Sequence, residues 1–317
     1  MKTFNKIYPY GVIPVIAIDD SRHAVPLAKA FARAGLPVME ITFRTEAAEE
    51  SIRRIAQEAP EVILGAGTIL QVEQAQRAIE AGAQFLVTPG LNPKVVSYSQ
   101  EHQVDVVPGV STPTEVEQAI GLGLNTLKFF PAEVSGGAAA VKALGGPYRE
   151  ISFIPTGGID ERRISEYSRL GNVLACGASY LADRRLIAEE RFDEIEARAR
   201  AAVKAVHNFT VAHVGINGGS EEEAKGVAQA FCSLFGFTKE EGRISCFASK
   251  EIEVMYDDTY GVNGHLSITA NSIDRALRYL QRQGVELRKD TIKYNEQGKM
   301  RFAYLKNQIG GFAIHLY

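Results

Sequence analysis

The stretch TLKFFPAE at 126–133 puts a cation, Lys128, inside an apolar run that reads as a buried strand entering a turn. A buried ammonium is costly unless it is paired or gives up its proton. An apolar pocket lowers a lysine pKa. At the ordinary value of ~10.4 only about 0.04% of the amine is neutral at pH 7, against tens of per cent at ~7–8. A neutral amine attacks a ketone, and the resulting Schiff base stabilises a neighbouring carbanion. Such chemistry needs a proton carrier and an anchor for the substrate. Glu40 is suited to move the proton, directly or through water. Arg44 offers a planar two-pronged donor for a carboxylate. The set suits carbon–carbon cleavage or formation alpha to a keto acid.

Positioning these groups falls to a series of short apolar runs, VIPVIAI, PVMEITF, VILGAGT, QFLVTPG, VDVVPGV, NTLKFFP, SFIPTGG and NVLACGAS, separated by amphipathic segments. Several of those segments end in glycine (Gly35, Gly82, Gly123), as capped helices do. Eight strand–helix units in roughly 200 residues fit a (β/α)8 TIM barrel. The first junction lacks the GxGxxG of a doubly wound dinucleotide fold. Alternation along a strand predicts one face for Val38, Glu40, Thr42 and Arg44. It predicts another for Leu64, Ala66 and Thr68, and a third for Thr126, Lys128 and Phe130. Glu40, Arg44, Thr68 and Lys128 then converge near the carboxyl ends of three strands. Singly, each has an ordinary explanation: a paired lysine, a structural Glu40–Arg44 ion pair, turn residues at Thr68 and Pro89. Their shared face and strand-end placement argue for chemistry.

The turns PTGGID and ACGASY close the seventh and eighth strands. Loops after the last two strands of a barrel commonly hold a phosphate on backbone N–H groups. Gly157, Gly158, Gly177 and Ser179 are the candidate donors, although glycine also simply permits tight turns.

The chain of 317 residues is 45% hydrophobic with a net charge of −3, the balance of one larger and one smaller globular domain. From Asn208 onward there are 13 basic and 13 acidic side chains. No basic excess points to nucleic acid or an anionic membrane. Cys176, Cys232 and Cys246 are odd in number and scattered, as reduced cytoplasmic thiols are. GVIPVIAI is too short to span a bilayer and reads as a first strand.

EITFRT (40–45), GAGT (65–68), VTPGL (87–91), PGVSTPTE (108–115), LKFFPAE (127–133) and PTGGI (155–159) resemble the 2-keto-3-deoxy-6-phosphogluconate (KDPG) aldolases, which double as 4-hydroxy-2-oxoglutarate (KHG) aldolases. The likeness covers about residues 7–200. It implies a class I, metal-independent aldolase on a TIM barrel, commonly a homotrimer. By that resemblance Lys128 forms the Schiff base and Glu40 is the general acid/base. Arg44 and Thr68 hold the pyruvate carboxylate, Pro89 and Phe130 wall the methylene, and Thr156, Gly157, Gly158 and Ser179 take the phosphate. Phe43 and the turn ACGASY depart from the family pattern.

The amphipathic stretch 184–206 reads as a closing helix, which sets expected domains of 1–207 and 208–317. The remainder turns twice through strand, helix and strands. One helix opens at Ser220 with Glu223 three residues on and ends at Gly236; the other spans about 272–283. AHVGI aligns with GHLSI, and EIEVMY with FAIHLY. His213 therefore pairs with His265, and Glu253 with His315. Four such side chains suit an N/O metal site. This third resembles the vicinal oxygen chelate (glyoxalase-like) modules, in which two βαβββ halves cup a metal and glutamate usually stands where His315 does. The rival expectations are a phosphosugar isomerase or epimerase barrel working without an imine, and a C-terminal module that binds or assembles without catalysing.

Overall fold

The computed structural model describes residues 2–258 and 260–317. They fall into two compact units, one ending at Val206 and one spanning His207–Tyr317.

The first unit strings parallel strands between helices. Its strands are β1 (Val12–Ile16), β2 (Val38–Thr42), β3 (Ile63–Gly67), β4 (Phe85–Val87), β5 (Asp105–Val107), β6 (Gly109–Val110), β7 (Thr126–Phe129), β8 (Ser152–Pro155) and β9 (Cys176–Ala178). Six pair in the order β5-β4-β3-β2-β1-β9 and three as β6-β7-β8. The fifth expected strand is thus two pieces. Pro108 divides it, because proline brings no N–H to a ladder, yet its carbonyl still accepts from Lys128 N at 2.9 Å. A bridge from Thr156 to Gly177 joins the end of β8 to β9.

Local chemistry sets the helix starts. Thr112 and Glu115 form a capping box, Asn92 caps a helix beginning at Pro93, and Asp160 caps Glu161–Ser168. One expectation fails. The closing helix of 184–206 is broken into Arg184–Ala188 and Phe192–His207, and Glu190 between them takes a positive φ of 53° that no helix continues. A short amino-terminal helix, Lys2–Ile7, was not legible in the sequence. Its Phe4 is buried and meets Phe85 edge-on at 5.7 Å, while Thr3 N donates to Asp105 Oδ2 at 3.0 Å.

In the second unit β10 (Thr210–Asn217) precedes the helix Glu221–Phe235 and β11 (Lys239–Glu241), β12 (Ser245–Ala248) and β13 (Ile252–Met255). Then β14 (His265–Thr269) precedes the helix Ile273–Arg282 and β15 (Lys293–Tyr294), β16 (Met300–Tyr304) and β17 (Ala313–Leu316). All eight strands form one sheet, β11-β12-β13-β10-β14-β17-β16-β15. Ser220 Oγ accepts from Glu223 N at 3.2 Å, and Gly236 closes that helix with φ 72°. The helices cover one face of the sheet. Ala224 and Ala228 pack on Cys246, Ala248 and Val254; Ala276 and Leu277 pack on Met300, Ala303 and Leu316. Val227 and Leu234 of the first helix flank this seam and are 37% and 76% exposed. Among the described residues no helix is long and apolar enough to cross a membrane.

Removing the aromatic plug tests its role in the first unit. Phe4→Ala should destabilise that unit by about 3–5 kcal/mol, the usual toll for a buried phenylalanine, read as a lower urea midpoint.

Candidate active site

Glu40 projects from the middle of β2, 3% exposed, and no described group bonds its Oε1. The adjacent strand β3 makes the room. Glu40 stands in register with Gly65 and Thr42 with Gly67, and in-register parallel neighbours share a face. A Cβ at Gly67 would lie 1.8 Å from Glu40 Oε1, and one at Gly65 2.2 Å from the Phe85 ring. This corrects the expected alternation along β3. Leu64 and Ala66 pair with Met39 and Ile41 and lie on the opposite face. Thr68 reaches the site differently, leaving the strand with φ 57°. There its hydroxyl accepts from the exposed Arg44 Nε at 3.0 Å.

Lys128, 5% exposed, lies on β7 between Gly109 and Ile154. Its Nζ stands 5.1 Å from the centroid of the half-buried Phe130 ring, and among the described residues no carboxylate pairs with it. Burial pushes the Glu40 carboxyl above the usual range, while the charges of Lys128 and Arg44 pull it back. Those three groups therefore share one field without a direct Glu40–Lys128 ion pair. Gly109 is as constrained as Gly67, since a Cβ there would meet the Pro89 carbonyl oxygen at 2.0 Å. That contact brings Pro89 to the strand beside the lysine.

The two glycine turns meet through Thr156. Its buried backbone bridges to Gly177, where a Cβ would lie 2.3 Å from Thr156 Oγ1. Gly157 and Gly158 have φ of 100° and 78°, conformations that require glycine. Ser179 is exposed. Ala132 N donates to Thr156 O at 2.8 Å and Glu133 N to Gly157 O at 3.3 Å, tying the segment after Lys128 to this turn. Glu133 has no role in the sequence reading, although it ends the LKFFPAE motif. Its carboxylate accepts from the buried Tyr167 hydroxyl at 2.7 Å and pairs with Arg163. A Cβ on Gly158 would sit 2.7 Å from its Cγ. Burial, then the Glu133 carboxylate, raise the Tyr167 pKa, so this hydroxyl stays a donor.

The second unit carries its polar cluster on the sheet face away from its helices. His213 is in register with Ser267, and Ser267 with His315; Glu253 is in register with Gly215, and Gly215 with His265. Two such rows on four adjacent strands share a face. Gly215 leaves space for a ring, as its Cβ would lie 2.0 Å from the His265 imidazole. Nε2 of His213 and of His265 lie 3.0 and 3.1 Å from Glu253 Oε2 and 3.2 Å from each other. His315 completes a set whose nitrogens lie within 4.8 Å of one another. Ser245 Oγ donates to the other Glu253 oxygen at 2.6 Å. Burial alone would raise the Glu253 pKa, but bonds from His213, His265 and Ser245 hold it well below the carboxylate range. Burial and the neighbouring histidines push His315 down to about 3, so this imidazole is neutral.

A buried lysine on β7 and a buried carboxyl on β2, sharing one field, fit a class I aldolase, a carbon–carbon lyase. The chain belongs to the KDPG and KHG aldolase family, whose model matches residues 5–198. It is 46% identical over 203 residues to the 2-dehydro-3-deoxy-phosphogluconate aldolase of Treponema pallidum (strain Nichols), covering 64% of this chain and 97% of that one. To the KHG/KDPG aldolase of Escherichia coli (strain K12) it is 42% identical over 193 residues, 61% and 91% of the two chains. Among solved structures, KDPG aldolase from Legionella pneumophila, with pyruvate captured as a covalent carbinolamine, matches with TM-score 0.62 and 32% identity. That match covers 64% of this chain and 98% of the other.

The elevated Glu40 pKa has a thermodynamic signature. A carboxyl whose pKa is higher folded than unfolded contributes stability at low pH that is lost as pH rises through the folded value. Glu40→Gln removes that loss. The variant should be more stable than the wild type at pH 8 and lose its advantage at pH 4, measured by thermal unfolding at both values.

Proposed function

We propose that the first unit cleaves 2-keto-3-deoxy-6-phosphogluconate to pyruvate and glyceraldehyde 3-phosphate, and 4-hydroxy-2-oxoglutarate to pyruvate and glyoxylate. The observation that carries this reading is Lys128, buried and without a carboxylate partner among the described residues, in the field of Glu40. Arg44 and Thr68, already joined, hold the substrate carboxylate, and Pro89 and Phe130 flank the methylene. Lys128 adds to the C2 ketone and loses water to form an imine. Glu40 helps take the proton from the C4 hydroxyl, C3–C4 breaks, and the electron pair enters the imine to give an enamine of pyruvate. The aldehyde leaves, C3 is protonated, and water releases pyruvate from Lys128. The iminium is the electron sink, so these steps need no metal. Thr156, Gly157, Gly158, Gly177 and Ser179 are the proposed phosphate cradle. The strand order, with β5 and β6 taken as one strand and the Thr156–Gly177 bridge, supports a closed eight-stranded TIM barrel. A homotrimer is the assembly implied by the family resemblance, and three free thiols fit a cytoplasmic setting. The isomerase reading predicts no imine. Borohydride with pyruvate should add one reduced pyruvyl unit at Lys128 by peptide mass, and Lys128→Ala should abolish both labelling and cleavage; surviving cleavage would sink the mechanism.

For the second unit we propose a vicinal oxygen chelate module of two βαβββ halves holding a divalent metal on His213, Glu253, His265 and His315. Donor separations of 3.0–3.2 Å lie near the ~3.0 Å cis edges of an octahedron with ~2.1 Å bonds, in which four protein ligands leave two positions open. Hydrogen bonds alone suit the cluster poorly. If both imidazoles donate to Glu253, the His213–His265 contact sets two N–H groups head to head. Ser267 Oγ and the Nδ1 atoms of His265 and His315 are also buried without a described partner. The ion would supply a Lewis acid, and the histidines and Glu253 would hold it. Metal analysis of the purified full chain should find about one divalent ion per chain, lost in His265→Ala.

A further inference from the structure

Resting on the metal reading above, we infer that the second unit's site binds a small 2-oxo or 2-hydroxy carboxylate, the chemical class of the product that the aldolase releases. Charge is the first argument. A divalent ion among three neutral imidazoles and the Glu253 carboxylate keeps one net positive charge, whereas a carboxylate at 315 would cancel it. The site therefore favours an anionic ligand. A second argument is a cation at the edge of the same face. Lys293 is in register with Phe302, and its Nζ lies 4.8 Å from that ring's centroid. The Phe302 ring in turn stands 4.9 Å from the His315 ring at 35°. Among the described residues no carboxylate pairs with Lys293, whereas Arg288 is stacked 3.8 Å over Tyr260 and lies 4.0 Å from Asp290.

Shape selects further. Tyr304, Phe302 and Tyr317 stand 4.9, 4.9 and 6.0 Å from the His315 ring and flank it with aromatic walls. Flat walls suit a planar acid better than a tetrahedral oxyanion. Ser267 Oγ, fully buried and unpartnered, lies between the His213 and His315 positions as a further polar group in the row. One carboxylate oxygen and the adjacent oxo or hydroxyl oxygen would chelate the ion, leaving the second carboxylate oxygen for Lys293.

The test uses the full chain carrying Lys128→Ala, so that no imine forms, loaded with Mn2+ and followed by water-proton relaxation. Pyruvate should displace bound water and lower the relaxation enhancement at concentrations where neutral pyruvamide and one-toothed acetate do not. Lys293→Gln should weaken pyruvate about tenfold while leaving Mn2+ affinity unchanged. Equal responses to pyruvate and pyruvamide, or an unaltered Lys293→Gln titration, would overturn the ligand assignment with the metal site intact. Failure of Mn2+ to bind would instead overturn the metal reading, and the ligand assignment with it.

Discussion

Low dielectric around two ionisable side chains is the constraint on which the first unit depends. Lys128 and Glu40 are both nearly inaccessible, on strands whose other residues are almost all apolar. Among the described residues the two do not form a direct ion pair with each other. The carboxyl is instead biased toward its neutral state by desolvation and partly restored by two cations at a distance. Burial favouring the neutral carboxyl and nearby cations favouring the charged one suit Glu40 to the proton transfer proposed for it. The backbone serves that balance. Gly65, Gly67 and Gly109 admit neighbouring groups too close for any side chain, and Pro108 interrupts a strand beside the lysine while still accepting its N–H.

Much of this was legible in the sequence because parallel strands repeat a simple period. The apolar runs located the strands, and Lys128, Glu40 and Thr42 lie where alternation puts them. Alternation failed at β3, where the residues on the site's face are glycines and carry no hydropathy signal. Thr68 then arrives by a backbone conformation that no periodicity encodes. The helix Lys2–Ile7 was missed because six residues with a single phenylalanine against the core leave too short a pattern. Glu133 was visible as part of a motif, but its value lies in Tyr167, 34 positions away, and partners that distant are invisible to spacing. In the last third the internal duplication carries the signal: the repeat in the sequence aligns His213 with His265 and Glu253 with His315.

The two units treat charge in opposite ways. In the first, Lys128 and Glu40 are buried singly among mostly apolar residues. In the second, His213, His265 and Glu253 meet at 3.0–3.2 Å with His315 beside them, on the sheet face opposite the one the helices pack against. A sheet whose hydrophobic packing lies on one face can carry polar work on the other.

The close approach of Glu40 to Gly67 also bears on how this chain can vary. Positions 40 and 67 behave as a single volume shared by two strands. A shorter acid at 40 would release room that alanine at 67 could occupy, whereas alanine at 67 with glutamate retained would drive the acid from its niche. Substitutions at these sites are expected to travel as a pair through descent, and anyone reshaping the acid's reach would redesign both together.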